Sequence, residues 1–181
     1  MGMIITIAVI VIVLLYVIIT YNSFIKLRNW VGESWSQIDV QLKRRHDLIP
    51  NLVNTVKGYA KHESETLEKI VQARNQLVSG TPQERIDADN EIQGALKSVF
   101  ALQEAYPDLK ANQSFLDLQN ELTETENKVA YSRQLYNSTV ASYNIKRESF
   151  PSNIISSIFN FKKKELLAIP EAEREVPNVE F

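Results

Sequence analysis

The sequence predicts an all-α fold: an N-terminal transmembrane helix continuing into an antiparallel four-helix bundle, with a short fifth C-terminal helix. Three observations predict it. The stretch Met3–Thr20 is apolar and free of charge. Beyond it, apolar residues recur at steps of three and four, the period of one helix face. Prolines fall where helices should start or cannot persist. The chain divides accordingly into an anchor (1–25), a helical-bundle domain (26–165) and an extended acidic tail (166–181).

Composition excludes much else. A chain of 181 residues suits one compact domain plus an appendage. Lys plus Arg is 20 against 22 for Asp plus Glu, so the net charge of -2 excludes a basic nucleic-acid binder. The absence of Cys excludes a disulfide framework, thiolate metal sites and Cys nucleophiles. With 5 Gly and 6 Pro, tight turns are too few for a many-stranded sheet.

The anchor comes first. Eighteen helical residues from Met3 to Thr20 reach about 27 Å, close to the roughly 30 Å of bilayer hydrocarbon. A cleaved signal peptide would need a basic start and a small-residue cleavage site. The Met1-Gly2-Met3 start and the Tyr21-Asn22-Ser23-Phe24 end offer neither. Lys26 and Arg28 follow the span and no basic residue precedes it. The positive-inside rule then favours a single-pass protein with a cytoplasmic body, a body on the opposite side of the membrane being the alternative.

The body follows as helices. In the first, Leu27, Val31, Trp35, Ile38, Leu42, Ile49, Val53 and Val56 form a stripe with a gap near Arg45 and His46. Pro50 lies inside this helix, which predicts a kink or short break over Asp47–Asn51. A second helix is expected over His62–Val78 and a third over Gln83–Ala105. A fourth is expected over Asp108–Ser149, and a short fifth piece over Asn153–Lys164. The pairs Thr81-Pro82 and Tyr106-Pro107 mark helix starts, and Phe150-Pro151 ends the long fourth helix. No Gly or Pro interrupts Thr20 to Val31, so the anchor should run directly into the first bundle helix and hold the body stiffly off the membrane. Such helices bury their stripes best as an antiparallel bundle.

These residues resemble the LemA family. The first helix carries Trp35-Ser36-Gln37-Ile38-Asp39-Val40-Gln41-Leu42-Lys43-Arg44-Arg45, then Asp47-Leu48-Ile49-Pro50-Asn51-Leu52-Val53. Later come Thr125-Glu126-Asn127-Lys128-Val129-Ala130, Tyr136-Asn137, Phe150-Pro151 and the closing Val176-Pro177-Asn178-Val179-Glu180-Phe181. The resemblance implies a membrane anchor, a four-helix body and no settled enzymatic activity. It also implies association with bacterial membrane organisation, with magnetosome membranes in one branch, and with membrane-bound metalloproteases.

Candidate sites are few. His46 and His62 are too far apart for a helical zinc pair, and no Glu-x-x-His, GxGxxG, P-loop or GxSxG occurs. The chain therefore reads as a non-enzyme without cofactor or metal. Asp39 lies at the edge of the first stripe, and a crude antiparallel register sets it opposite Arg133; an ion pair there and two solvated groups are both open. Lys43, Arg44 and Arg45 form a basic cluster, either a docking site for an acidic partner or phosphate, or a face neutralised by neighbouring carboxylates. The fifth piece carries Ile158, Phe159, Lys162, Lys163 and Lys164, and suits either packing on the bundle or an anionic membrane surface. Trp30 flanks the stripe and suits bundle packing or contact with a neighbouring protomer.

The function these features suggest is a membrane-anchored helical scaffold. It would contact membrane lipid and self-associate as a homo-oligomer, organising or remodelling bacterial membrane or membrane proteins. The alternative is an adaptor or partner of a membrane-bound protease, acting as a discrete complex. No nucleic-acid partner is expected.

Overall fold

The computed structural model describes residues 1–59 and 64–168, and all regular structure among them is helical. Helix α1 spans Gly2–Lys57 without interruption, so the apolar stretch and the first bundle segment are one helix. Helix α2 (Ser64–Arg74) leads into a 3-10 turn, Asn75–Leu77. Helix α3 covers Pro82–Ala101, α4 Pro107–Lys110, α5 Gln113–Glu148 and α6 Ser152–Ile158.

Local chemistry sets these limits. Thr81 and Glu84 form a reciprocal cap at the start of α3, with Pro82 in its first turn. The backbone N–H and hydroxyl of Thr81 hold the Glu84 carboxyl below its ordinary pKa. Gly80 precedes the cap at φ +96°, a conformation that favours glycine. The expected fourth helix is divided: α4 is one turn, and Asn112 restarts the chain by accepting the Phe115 N–H at 3.0 Å. The fifth piece is shorter than expected. Its helix stops at Ile158, Asn160 turns left-handed at φ 53°, and residues 161–168 run without helix. The expected start of the second helix at His62 lies outside the described residues, as does the tail from 169 onward.

The chain forms two compact units, each drawing on both long helices. The larger comprises Gln37–Ser132 with Leu167–Phe181, the smaller Met1–Ser36 with Arg133–Leu166. In the larger unit, Arg44 of α1 reaches Glu121 and Glu124 of α5, and Asn112 donates to Tyr59 Oη at 3.0 Å, so these helices are antiparallel. Asp39 and Arg45 of α1 meet Arg85 and Asp89 of α3 in the same order, so that pair is parallel. This is an up-down-up-down bundle. Its core includes Ile38, Leu42, Ile49, Ile70, Ile86, Ile92, Phe115 and Leu122.

Pro50 does not break α1. A proline has no N–H, so the carbonyl four residues back, on His46, loses its helical donor. Arg74 of α2 replaces it, donating Nε–H to the His46 carbonyl at 2.7 Å. A side chain from the neighbouring helix thus completes the ladder where the backbone cannot. Replacing Arg74 by Met should lower stability by about 1–3 kcal/mol, because a half-buried carbonyl is left unbonded. In a Pro50→Ala background, which restores the backbone donor, the same change should cost clearly less. Thermal melts of the helical signal in mild detergent measure both; equal costs in the two backgrounds would reject the argument.

Candidate functional site

The most constrained chemistry lies inside the larger unit. Arg45 has no exposed surface. Its Nη1 donates to Asp89 Oδ1 of α3 at 2.5 Å and its Nε to Thr125 Oγ1 of α5 at 3.3 Å. Its Nη2 has no hydrogen-bond partner among the described residues. One α1 side chain therefore ties two other helices. Nearby along the same helix pair, Arg85 donates to Asp39 and, through Nε, to the Leu77 carbonyl at 2.8 Å. Two arginines and two aspartates thus alternate across α1 and α3.

Each partner stands where a stripe residue would. Arg45 fills the gap between Leu42 and Ile49, Asp89 lies between Ile86 and Ile92, and Thr125 between Leu122 and Val129. A polar residue at apolar spacing is the signal by which this layer could be found in the sequence. Buried charges of this kind hold a register between helices.

The expected site residues separate accordingly. Asp39 pairs with Arg85, and half of its side chain stays exposed. Arg133 is buried in the smaller unit. The basic cluster is corrected: Arg45 is a core residue, and a side chain without exposed surface docks no partner. Arg44 is partly exposed between Glu121 at 3.5 Å and Glu124 at 3.9 Å, and Lys43 is exposed. Lys128, 2.5 Å from Glu124, holds that carboxyl below its ordinary pKa, and Arg44 adds to the effect. His46 Nδ1 lies 2.9 Å from the exposed Asp47, and His62 is outside the described residues. Among the described residues no three His, Cys, Asp or Glu side chains converge as metal ligands.

In the smaller unit, Trp30 is 47% exposed, with Lys26 Nζ 4.7 Å from its ring centre. Trp35, expected in the stripe, is half-buried and lies edge-on to Tyr136 at 6.0 Å. Ile158 and Phe159 are exposed, as are Lys162 and Lys163, while Lys164 is half-buried. Lys163 Nζ lies 3.4 Å from Glu148. Burial pushes the Tyr143 hydroxyl pKa up, so it remains a proton donor, bonding the Lys162 carbonyl at 2.9 Å.

Residues 34–181 match the family described as the LemA family, a range that holds the buried charged layer and begins after the apolar stretch. Protein LemA of Metamycoplasma hominis is 28% identical over 158 residues, covering 84% of this chain and 71% of that protein. Magnetosome protein MamQ 2 of Paramagnetospirillum magneticum is 26% identical over 172 residues, covering 80% of this chain. Magnetosome protein MamQ of Magnetospirillum gryphiswaldense is 23% identical over the same length. The chain spans 63% of each magnetosome relative.

Removing one partner of the buried pair leaves an uncompensated charge. Asp89→Ala should therefore cost about 3–5 kcal/mol. Converting both partners to apolar residues, Arg45→Met with Asp89→Leu, should recover most of that loss. Denaturant midpoints from circular dichroism decide it, and an unchanged midpoint for Asp89→Ala would refute the role given to the pair.

Proposed function

The chain belongs to the LemA family, and from that premise we propose that it is a membrane-anchored helical scaffold that self-associates to organise or remodel bacterial membrane or membrane proteins. One observation carries the reading. The first part of α1 has a mean hydropathy of 3.2 over an 18-residue window, and none of that window is buried by protein. A surface of this kind is stable only when something apolar covers it, and its length fits a bilayer.

Confinement supplies the mechanism. A single anchor holds every copy in one plane, so weak side contacts are repeated at high effective concentration. Trp30 is the candidate contact, a half-exposed aromatic beside Lys26 just past the span. Lys26 and Arg28 favour a cytoplasmic body. Two of the relatives are named magnetosome proteins, and the resemblance to the LemA family implies magnetosome membranes in one branch.

Size in mild detergent tests the proposal. Light scattering should give particles that grow with protein concentration, and imaging of lipid-reconstituted protein should show clusters. Trp30→Ala should reduce that growth while leaving helical content intact. A small species of fixed size that co-purifies a membrane protease would overturn the scaffold in favour of the adaptor.

A further inference from the structure

Helix α6 is built the wrong way round for water. Its buried side carries Ser152 and Ser156 beside Ile155, and its outer side carries Ile154 and Ile158, 50% and 69% exposed, with the exposed Ser157 between them. Phe150, 80% exposed, precedes it and Phe159, 45% exposed, follows it. The serines are spent inward: Ser152 Oγ donates to the Lys146 carbonyl at 2.6 Å and Ser156 Oγ to the Arg147 carbonyl at 3.0 Å. Polar-in and apolar-out is the arrangement expected of a helix whose outer neighbour is lipid.

The segment is held in place, not loosely attached. Asn144 exchanges two hydrogen bonds with the Lys164 backbone, at 2.8 and 3.0 Å. Arg147 Nε donates to the Phe161 carbonyl at 2.8 Å, and Phe161 stacks on Phe24 of α1 at 4.7 Å. Its position along α1 matters most. Phe159 lies 4.8 Å from Tyr21 and, with Val17, Ile18, Tyr21 and Asn22, lines one shallow cleft. Val17 and Ile18 belong to the apolar stretch, so Phe159, at the end of α6, stands where that stretch ends.

We propose that α6 is a second, interfacial membrane contact: Phe150, Ile154, Ile158 and Phe159 enter the acyl boundary of the same bilayer that α1 crosses, with Lys162 and Lys163 at the phosphates of anionic lipid. The inference rests on the reading that Met3–Thr20 crosses lipid. Tyr21 and Phe159 together form an aromatic pair at headgroup depth. The smaller unit is then fixed to the membrane at two points, which removes its freedom to pivot about the anchor.

The chain lacks cysteine, so single labels are unambiguous. Full-length Ile158→Cys, and Ile154→Cys as a second site, would carry an environment-sensitive fluorophore in phosphatidylcholine–phosphatidylglycerol vesicles. Val11→Cys reports the span, and the exposed Val40 position, as Val40→Cys, reports water. Both α6 labels should be blue-shifted and quenched several-fold more by shallow spin-labelled lipid than the Val40 label. Lys162→Gln with Lys163→Gln, or vesicles of phosphatidylcholine alone, should weaken that quenching. Lipid quenching at Val11 with α6 labels open to aqueous iodide would overturn the interfacial contact and leave the anchor standing. No lipid quenching at Val11 would overturn both. Alpha-6 labels shielded from iodide and from spin-labelled lipid, and altered by dilution with unlabelled protein, would show that a second copy covers this face and would also overturn the proposal.

Discussion

A guanidinium with no access to water obliges the helices around it to answer it. Arg45 is answered by Asp89 and Thr125, from two other helices, and neither can slide by a turn without abandoning the charge. Apolar stripes alone tolerate such slippage, since one isoleucine packs nearly as well as the next. The Asp39–Arg85 pair repeats the constraint on the same two helices with the charges exchanged. Their alternation disfavours a shift that would bring like charges together.

Arg74 serves α1 in a related way. Proline inside a helix normally bends or ends it, because one carbonyl goes unbonded. The His46 carbonyl is bonded from α2 instead, so the helix stays continuous through Pro50. The motif around His46 and Pro50 therefore depends on a residue outside it. Long continuous helices matter here, because both α1 and α5 contribute to each compact unit.

The smaller unit displays apolar surface as well, along most of the stretch to Ile19 and again on α6. Backbone satisfaction is complete enough to hold that surface outward: Tyr143, Asn144 and Arg147 each bond the chain after α6.

The sequence by itself determined the helical class, the apolar stretch of α1 and the places where Pro82, Pro107 and Pro151 punctuate the chain. Each is a local property, read from residues within one or two turns. It also marked Arg45 as a gap in a stripe without saying what fills it. The partners of that gap lie 44 and 80 residues away, and the donor for His46 lies 28 away. Periodicity defines which face of a helix turns inward, but not its rotation and rise against a neighbour. Those follow from packing, so only the tertiary structure decided that Arg45 is core, that Asp39 meets Arg85, and that α6 turns its serines inward. The same fact explains why two readings of the basic cluster stayed open: three adjacent cations look alike in sequence, yet successive helix positions point about 100° apart, and one of them faces the core.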